Sequence, residues 1–139
     1  AADCVPLYFY DPIHHAIGLS HAGWRGTVNG MAKATVEKMQ EEFDTRPEDL
    51  LAAIGPSIAK ECFEVDAPCA EEFLALPDSD KFVTDDGNGK FHVDLWACNR
   101  AFLLGCRRAA RAHHNGRRVH HVQQRPAVFT PRDARQARL

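Results

Sequence analysis

The sequence predicts an α/β (α+β) fold in which helices pack on a mainly antiparallel or mixed sheet. Three observations point there. Two apolar runs of strand length, residues 5–10 and 16–21, are joined by the turn-forming phrase DPIHH. Two longer stretches, starting near Val28 and at Leu95, repeat apolar residues at three- and four-residue steps. Between them, KFVTDDGNGKFHVDL sets two β-rich runs around Asp86-Gly87 and Asn88-Gly89.

The first run, VPLYFY, ends at the turn signal Asp11-Pro12, and the short link to residues 16–21 suits two adjacent antiparallel strands. AGWRGTVNG follows, and its Gly23 and Gly26 allow a tight strand-to-helix turn. From Thr27 the spacing predicts a helix with Val28, Met31, Thr35, Met39 and Phe43 on its core stripe, stopped near Pro47. Residues 50–54 read as a buried strand halted by Gly55-Pro56, and ECFEV as a short strand before a helix near residues 68–74. After the DG/NG hairpin, Asp94 is placed to cap a helix striped by Leu95, Cys98, Phe102, Leu103 and Cys106. RRVHHV, after Gly116, is expected as a last strand and the remainder as an arginine-rich loop.

With 139 residues, 45% hydrophobic and 26% charged, the chain suits one globular domain over residues 1–139. No apolar stretch approaches the roughly 20 residues of a membrane span. The cysteines are Cys4, Cys62, Cys69, Cys98 and Cys106, an odd number without a C-x-x-C pair. Free thiols in a reducing cytoplasm are therefore expected rather than a disulfide framework. The net charge of −2 hides an asymmetry. From Arg100 onward, ten arginines face a single acid, Asp133, so the last forty residues carry +9 and the first 99 carry −11. No aromatic residue interleaves the arginines between Arg107 and Arg125, which favours a solvated helix face over a nucleic-acid surface.

The candidate chemistry lies near the start. Cys4 precedes the first strand and His21 ends the second, and an antiparallel hairpin brings those two ends side by side. A thiolate and an imidazole there suit zinc, and a third protein ligand with an open fourth position would make the centre catalytic. The same pair also suits a metal-free nucleophile, with the imidazole lowering the thiol pKa. Arg25, in a glycine-flanked turn at a helix start, is the candidate for holding phosphate. Histidine doublets at 14–15, 113–114 and 120–121 suggest copper. Yet no H-x-H pair occurs and strand neighbours point to opposite faces, so exposed histidines are expected.

ADCVPL, HAGWRGT, AAIGPSI, CFEV and VDL occur in that order, and through most of residues 2–108 the chain resembles the YfiH/YlmD family. These proteins are also called multicopper polyphenol oxidase or laccase-domain proteins. The resemblance implies a layered α/β/β/α sandwich with mixed sheets, like the catalytic domain of cytotoxic necrotizing factor. It implies a metal site made by Cys4, His21 and a further histidine upstream of both, which would lie before Ala1, so that the chain begins partway through a family domain. Asp3 is expected to support that site by accepting a hydrogen bond from a ligating imidazole or an arginine, with Trp24 beside it.

The activity implied is a zinc-dependent purine nucleoside phosphorylase that also deaminates adenosine and cleaves methylthioadenosine. The substrates are then a purine nucleoside and phosphate, with neither nucleic acid nor membrane as partner and oligomerisation left open. The older family description is a copper-dependent polyphenol oxidase, and a metal-free Cys–His hydrolase acting on a peptidoglycan precursor is a further alternative. With two of three ligands, these 139 residues alone are expected to have little phosphorolysis, unless His14, His92 or a neighbouring subunit supplies the third. The tail VFTPRDARQARL keeps Phe129, Arg132, Asp133, Arg135 and Arg138 of the family's closing phrase. It has Pro131 and Ala137 where an aromatic and a glycine are usual, so anion binding is not assigned to it.

Overall fold

The computed structural model describes residues 4–113 and 128–129. Strand β1 (Val5–Asp11) follows the period-two rule, burying Val5, Leu7, Phe9 and Asp11 and exposing Tyr8 and Tyr10. A turn at residues 12–15 leads into β2 (Ala16–Ala22), which pairs antiparallel with β1 from Asp11 opposite Ala16 to Val5 opposite Ala22. The turn is held by the buried Asp11 carboxylate. It accepts from the N–H groups of Ile13 (2.9 Å) and His14 (3.2 Å) and from the Thr45 hydroxyl (2.7 Å), and His14 Nδ1 lies 2.8 Å away.

The helix expected from Thr27 is interrupted. Helix α1 (Trp24–Val28) ends at Asn29-Gly30, and α2 (Met31–Phe43) starts afresh. Gly30 has φ +80°, a left-handed conformation that strains any other residue, and the Phe102 ring would lie 3.4 Å from a Cβ there. The restart moves the buried stripe by one residue. Ala32, Val36 and Met39 face the core, whereas Met31 and Phe43 are exposed and the Thr35 hydroxyl donates to the Met31 carbonyl. A helix that restarts takes its phase from where it docks. Met39 docks on Gly18 of β2, where an added Cβ would meet its sulfur at 2.8 Å.

Strand β3 (Leu51–Ile54) pairs antiparallel with the other side of β1. Strand β4 (Glu64–Asp66) runs into α3 (Ala67–Leu74), where the Asp66 carboxylate accepts from the Cys69 N–H and Pro68 occupies the first turn. Strands β5 (Val83–Gly87) and β6 (Lys90–Val93) form the expected hairpin, closed by Asn88 and Gly89 at φ +55° and +72°. Two positive-φ residues are what a two-residue turn needs to match the strand twist. Asp94 caps α4 (Leu95–His113) by accepting from the Ala97 N–H at 3.0 Å.

Val128–Phe129, in the stretch expected to be loop, forms a short strand β7 parallel to β3. This β-prone pair satisfies backbone groups along an otherwise free edge of β3. The strand expected at residues 117–122 lies outside the described residues.

The strands make two sheets, β2-β1-β3-β7 and β4-β6-β5. One sheet mixes antiparallel with parallel pairing, in agreement with the α/β (α+β) class read from the sequence. Helices α2 and α4 lie over one face of the four-stranded sheet, and α3 packs on the three-stranded one. Their contact surfaces merge in one core containing Leu7, Phe9, Ile54, Val36, Phe73, Val93, Leu95 and Leu103. Of the arginines expected on a solvated face, Arg108 and Arg111 are exposed, but Arg100 and Arg107 are half-buried along α4. Arg107 donates to the Glu48 carbonyl at 3.4 Å, because its position falls beside the buried stripe. Among the described residues no helix is long and apolar enough to cross a membrane.

Candidate functional site

The β1–β2 register sets Pro6 opposite His21, and Gly55, just past β3, donates its N–H to the Pro6 carbonyl at 2.8 Å. His21, Pro6 and Gly55 therefore form a row at one end of the sheet. The Cys4 sulfur lies beside Gly23, 3.6 Å from where a Cβ would stand. Gly23 is two residues past His21, and positions two apart along extended chain share a face. Diagonal neighbours on such a face are about 7–8 Å apart at the backbone, within reach of side chains that turn toward each other.

His21 is exposed and Cys4 half-buried, and among the described residues neither makes a hydrogen bond or ion pair. As a donor set, one thiol and one imidazole without a hard oxygen suit zinc or copper rather than magnesium or calcium. Two donors fall short of a complete centre. Among the described residues no three His, Cys, Asp or Glu side chains converge. His14 sits at the opposite end of the hairpin, roughly 17 Å of strand away from His21, and is engaged by Asp11. His92 belongs to β6 in the other sheet, where it hydrogen-bonds Asp86 and lies 4.0 Å from Glu64. Neither reaches the Cys4–His21 end. Asp3 lies outside the described residues.

Arg25, on α1, stacks its guanidinium 4.6 Å above the centroid of the Trp24 ring, and Trp24 in turn lies 6.2 Å from Phe73. This cation–π seat holds the side chain without occupying its N–H donors. Among the described residues Arg25 has no carboxylate partner. Burial, then Asp66 and Glu72, push the Cys69 thiol up, and the nearby Arg25 charge alone opposes them. A depression of about 360 Å³ opens beside Trp24, bordered by Phe63, Glu64, Asp66, Cys69 and Lys90.

Ser57, Asn99 and the packing role of Gly55 escaped the sequence reading. Ser57 accepts from Trp96 Nε1 at 2.6 Å, and Gly55 lets its turn lie directly on β1. A Cβ at Gly55 would come within 2.6 Å of Pro6 Cγ and 2.9 Å of Tyr8 Cε2. The Gly-Pro-Ser phrase after a buried strand was the available signal. Asn99 is fully buried and donates to the Thr27 hydroxyl (3.2 Å) and the Leu95 carbonyl (2.9 Å), tying α4 to α1 beside Arg25. No pattern marks a lone polar residue on a helix as buried.

A family model described as multi-copper polyphenol oxidoreductase laccase matches residues 1–125, a span that holds Cys4, His21 and Arg25. The chain belongs to this family. Its members include the YfiH and YlmD proteins of the sequence resemblance. The chain is 39% identical over 104 residues to the purine nucleoside phosphorylase YlmD of Bacillus subtilis (strain 168), covering 74% of this chain and 37% of that protein. It is 43% identical over 107 residues to a purine nucleoside phosphorylase of Bacteroides thetaiotaomicron, covering 74% and 39%. It is 44% identical over 105 residues to the adenosine deaminase RL5 of an unknown prokaryotic organism, covering 74% and 40%. Among solved structures, YlmD from Geobacillus stearothermophilus superposes with a TM-score of 0.73 at 31% identity, covering 94% of this chain and 43% of that one. Bacillus licheniformis YfiH gives 0.72 at 36% identity, covering 76% and 40%. This laccase-family chain thus spans less than half the length of the relatives it matches.

Proposed function

We propose that this protein is a zinc-dependent purine nucleoside phosphorylase that also deaminates adenosine and cleaves methylthioadenosine. The observation that carries the reading is the unpartnered Cys4–His21 pair at one sheet end, in a chain whose relatives bear phosphorylase and deaminase names. Cys4, as thiolate, and His21, as neutral imidazole, would hold the metal together with a third histidine from upstream of Ala1. Zinc, when bound, supplies Lewis acidity.

Residues of this chain do the remaining work. Arg25, seated on Trp24, offers a planar fork to phosphate oxygens and so aims the nucleophile, whose own negative charge offsets the positive charge developing at the sugar. Asp3 orients a ligating imidazole by accepting its hydrogen bond. The Gly55–Ser57 turn, fastened to Pro6 and Trp96, stiffens the sheet end that carries His21. A reducing, cytoplasmic location fits the five free thiols. The substrates are a purine nucleoside and phosphate, and neither nucleic acid nor membrane enters the reading.

The test is phosphate-dependent release of hypoxanthine from inosine with zinc supplied. Activity is expected to vanish with chelator and to be slow in these 139 residues alone, which provide two ligands. Turnover that survives chelation but is lost on thiol alkylation would establish the metal-free cysteine hydrolase instead. Copper-dependent oxidation of phenols would establish the polyphenol oxidase, the activity in the family's name. Fast turnover by the isolated chain would show that the third ligand comes from elsewhere, such as a neighbouring subunit.

A further inference from the structure

Helix α1 does not hold its own place. It spans five residues, starts at Gly23 without a side-chain cap and ends at Asn29-Gly30. So short a helix is unstable by itself, and the flanking glycines leave its rotation free. Yet it carries Arg25. Trp24 leans on Phe73 of α3, and the Phe102 ring of α4 lies against Gly30. These contacts are apolar and therefore non-directional. Thr27 makes the directional one. Fully buried, it accepts from Asn99 Nδ2 at 3.2 Å, and among the described residues no other side-chain hydrogen bond reaches α1. The same Nδ2 donates to the Leu95 carbonyl at 2.9 Å, which fixes the amide on α4.

Packing does not account for an amide at this position. Asn99 is fully buried, and its Oδ1 meets no donor among the described residues. A buried carbonyl without a donor destabilises a fold, and a leucine of similar size would carry no such penalty. Direction does account for it. Residues two apart on a helix point about 200° away from each other. A bond that turns Thr27 toward α4 therefore turns Arg25 to the opposite side, where it is exposed. We propose that Asn99 is a positioning residue, which through Thr27 sets the rotation of α1 and so the place of the Arg25 guanidinium. That this placement serves phosphate rests on the function proposed above; the placement itself does not.

The Cys69 thiol reports the placement without any turnover. Burial, Asp66 and Glu72 push this half-buried thiol up, and Arg25 alone opposes them. Its alkylation by iodoacetamide across about pH 7–9, resolved by peptide mass spectrometry, therefore follows the Arg25 charge. Arg25→Ala should move the Cys69 profile up by about half a pH unit, about threefold slower at pH 8. Asn99→Leu and, independently, Thr27→Val should slow it to the same extent, and neither should slow it further in an Arg25→Ala background. Thr27→Ser keeps the hydroxyl and should keep the wild-type profile. Asn99→Leu combined with Thr27→Val, apolar on both sides, should melt no lower than wild type. A purely structural amide gives the opposite result, because loosening exposes Cys69 and speeds its alkylation. Unchanged or faster alkylation in Asn99→Leu and Thr27→Val would overturn the proposal. So would an Arg25→Ala profile identical to wild type, since Arg25 would then not stand beside Cys69. In the inosine assay, Asn99→Leu should raise KM for phosphate about tenfold with kcat within about twofold. An unmoved KM beside a shifted thiol profile would keep Asn99 as the positioner of Arg25 and remove Arg25 from the phosphate site.

Discussion

The two ends of the β1–β2 hairpin use similar groups in opposite ways. At the turn end, a buried carboxylate and a histidine are tied together: Asp11 has its oxygens on two backbone N–H groups, the Thr45 hydroxyl and His14. At the open end, a thiol and an imidazole share a face, and among the described residues both lack partners. A saturated network stabilises and specifies geometry, whereas unsaturated donors remain free for a ligand. His14 is therefore tied into the structure, whereas the His21 side chain, the proposed metal ligand, is left without a partner among the described residues, although both are short-range neighbours of the same strands.

The comparison is broken most directly at the open end. His21→Ala is expected to lower zinc-supported phosphorolysis more than about a hundredfold, beyond the 10–100-fold typical of residues that only orient ligands. Its melting temperature should match wild type, because an exposed, unpartnered imidazole contributes nothing to packing. A large fall in melting temperature would move His21 to the structural class.

At the turn end the expected effect is on stability. Asp11→Ala leaves the Thr45 hydroxyl and two N–H groups without their acceptor, at a cost of about 2–4 kcal/mol in urea unfolding. His14→Ala should cost far less, since its ring is partly exposed.

The same carboxylate sharpens the contrast through pH. Burial pushes the Asp11 carboxyl up, but hydrogen bonds from Thr45, His14 and Ile13 together hold it below its ordinary 3.8. The folded state therefore binds fewer protons than the unfolded one. Its stabilisation is complete above 3.8 and is lost as pH falls below that value through the depressed folded pKa. The stability gap between wild type and Asp11→Asn should narrow in that acid window and stay constant from pH 5 to 7, to order of magnitude. The smallest effect expected is that of Asp3→Asn, which should weaken zinc binding about tenfold while leaving the fold intact. An unchanged zinc affinity would remove Asp3 from the site.

Much of this was legible in the residues themselves. Val5–Tyr10 alternates, DG and NG punctuate a hairpin, and Asp94 precedes a helical stripe, so each element follows from local spacing. Cys4, His21 and Arg25 were legible as candidate site residues through ADCVPL and HAGWRGT. The break at Gly30 was not, because apolar residues continue at helical steps across it and only the Phe102 ring marks the restart. Arg100 and Arg107 read as solvated because charge alone was visible, while their long stems lie along packed helix.

Sequence by itself determined most of the strands and helices and which side chains carry sulfur, imidazole and guanidinium. Those properties depend on neighbours within a few residues. Tertiary structure decided the rest. A one-residue slip of β2 would have sent His21 to the core side, and the Asp11 turn prevents it by setting Pro6 against His21. Only docking on Gly18 decided which stripe of α2 is buried, and only the free edge of β3 decided that Val128–Phe129 becomes a strand. Which face of the sheet the helices cover depends on where α2 and α4 settle, a contact between segments far apart in the chain that no local period encodes.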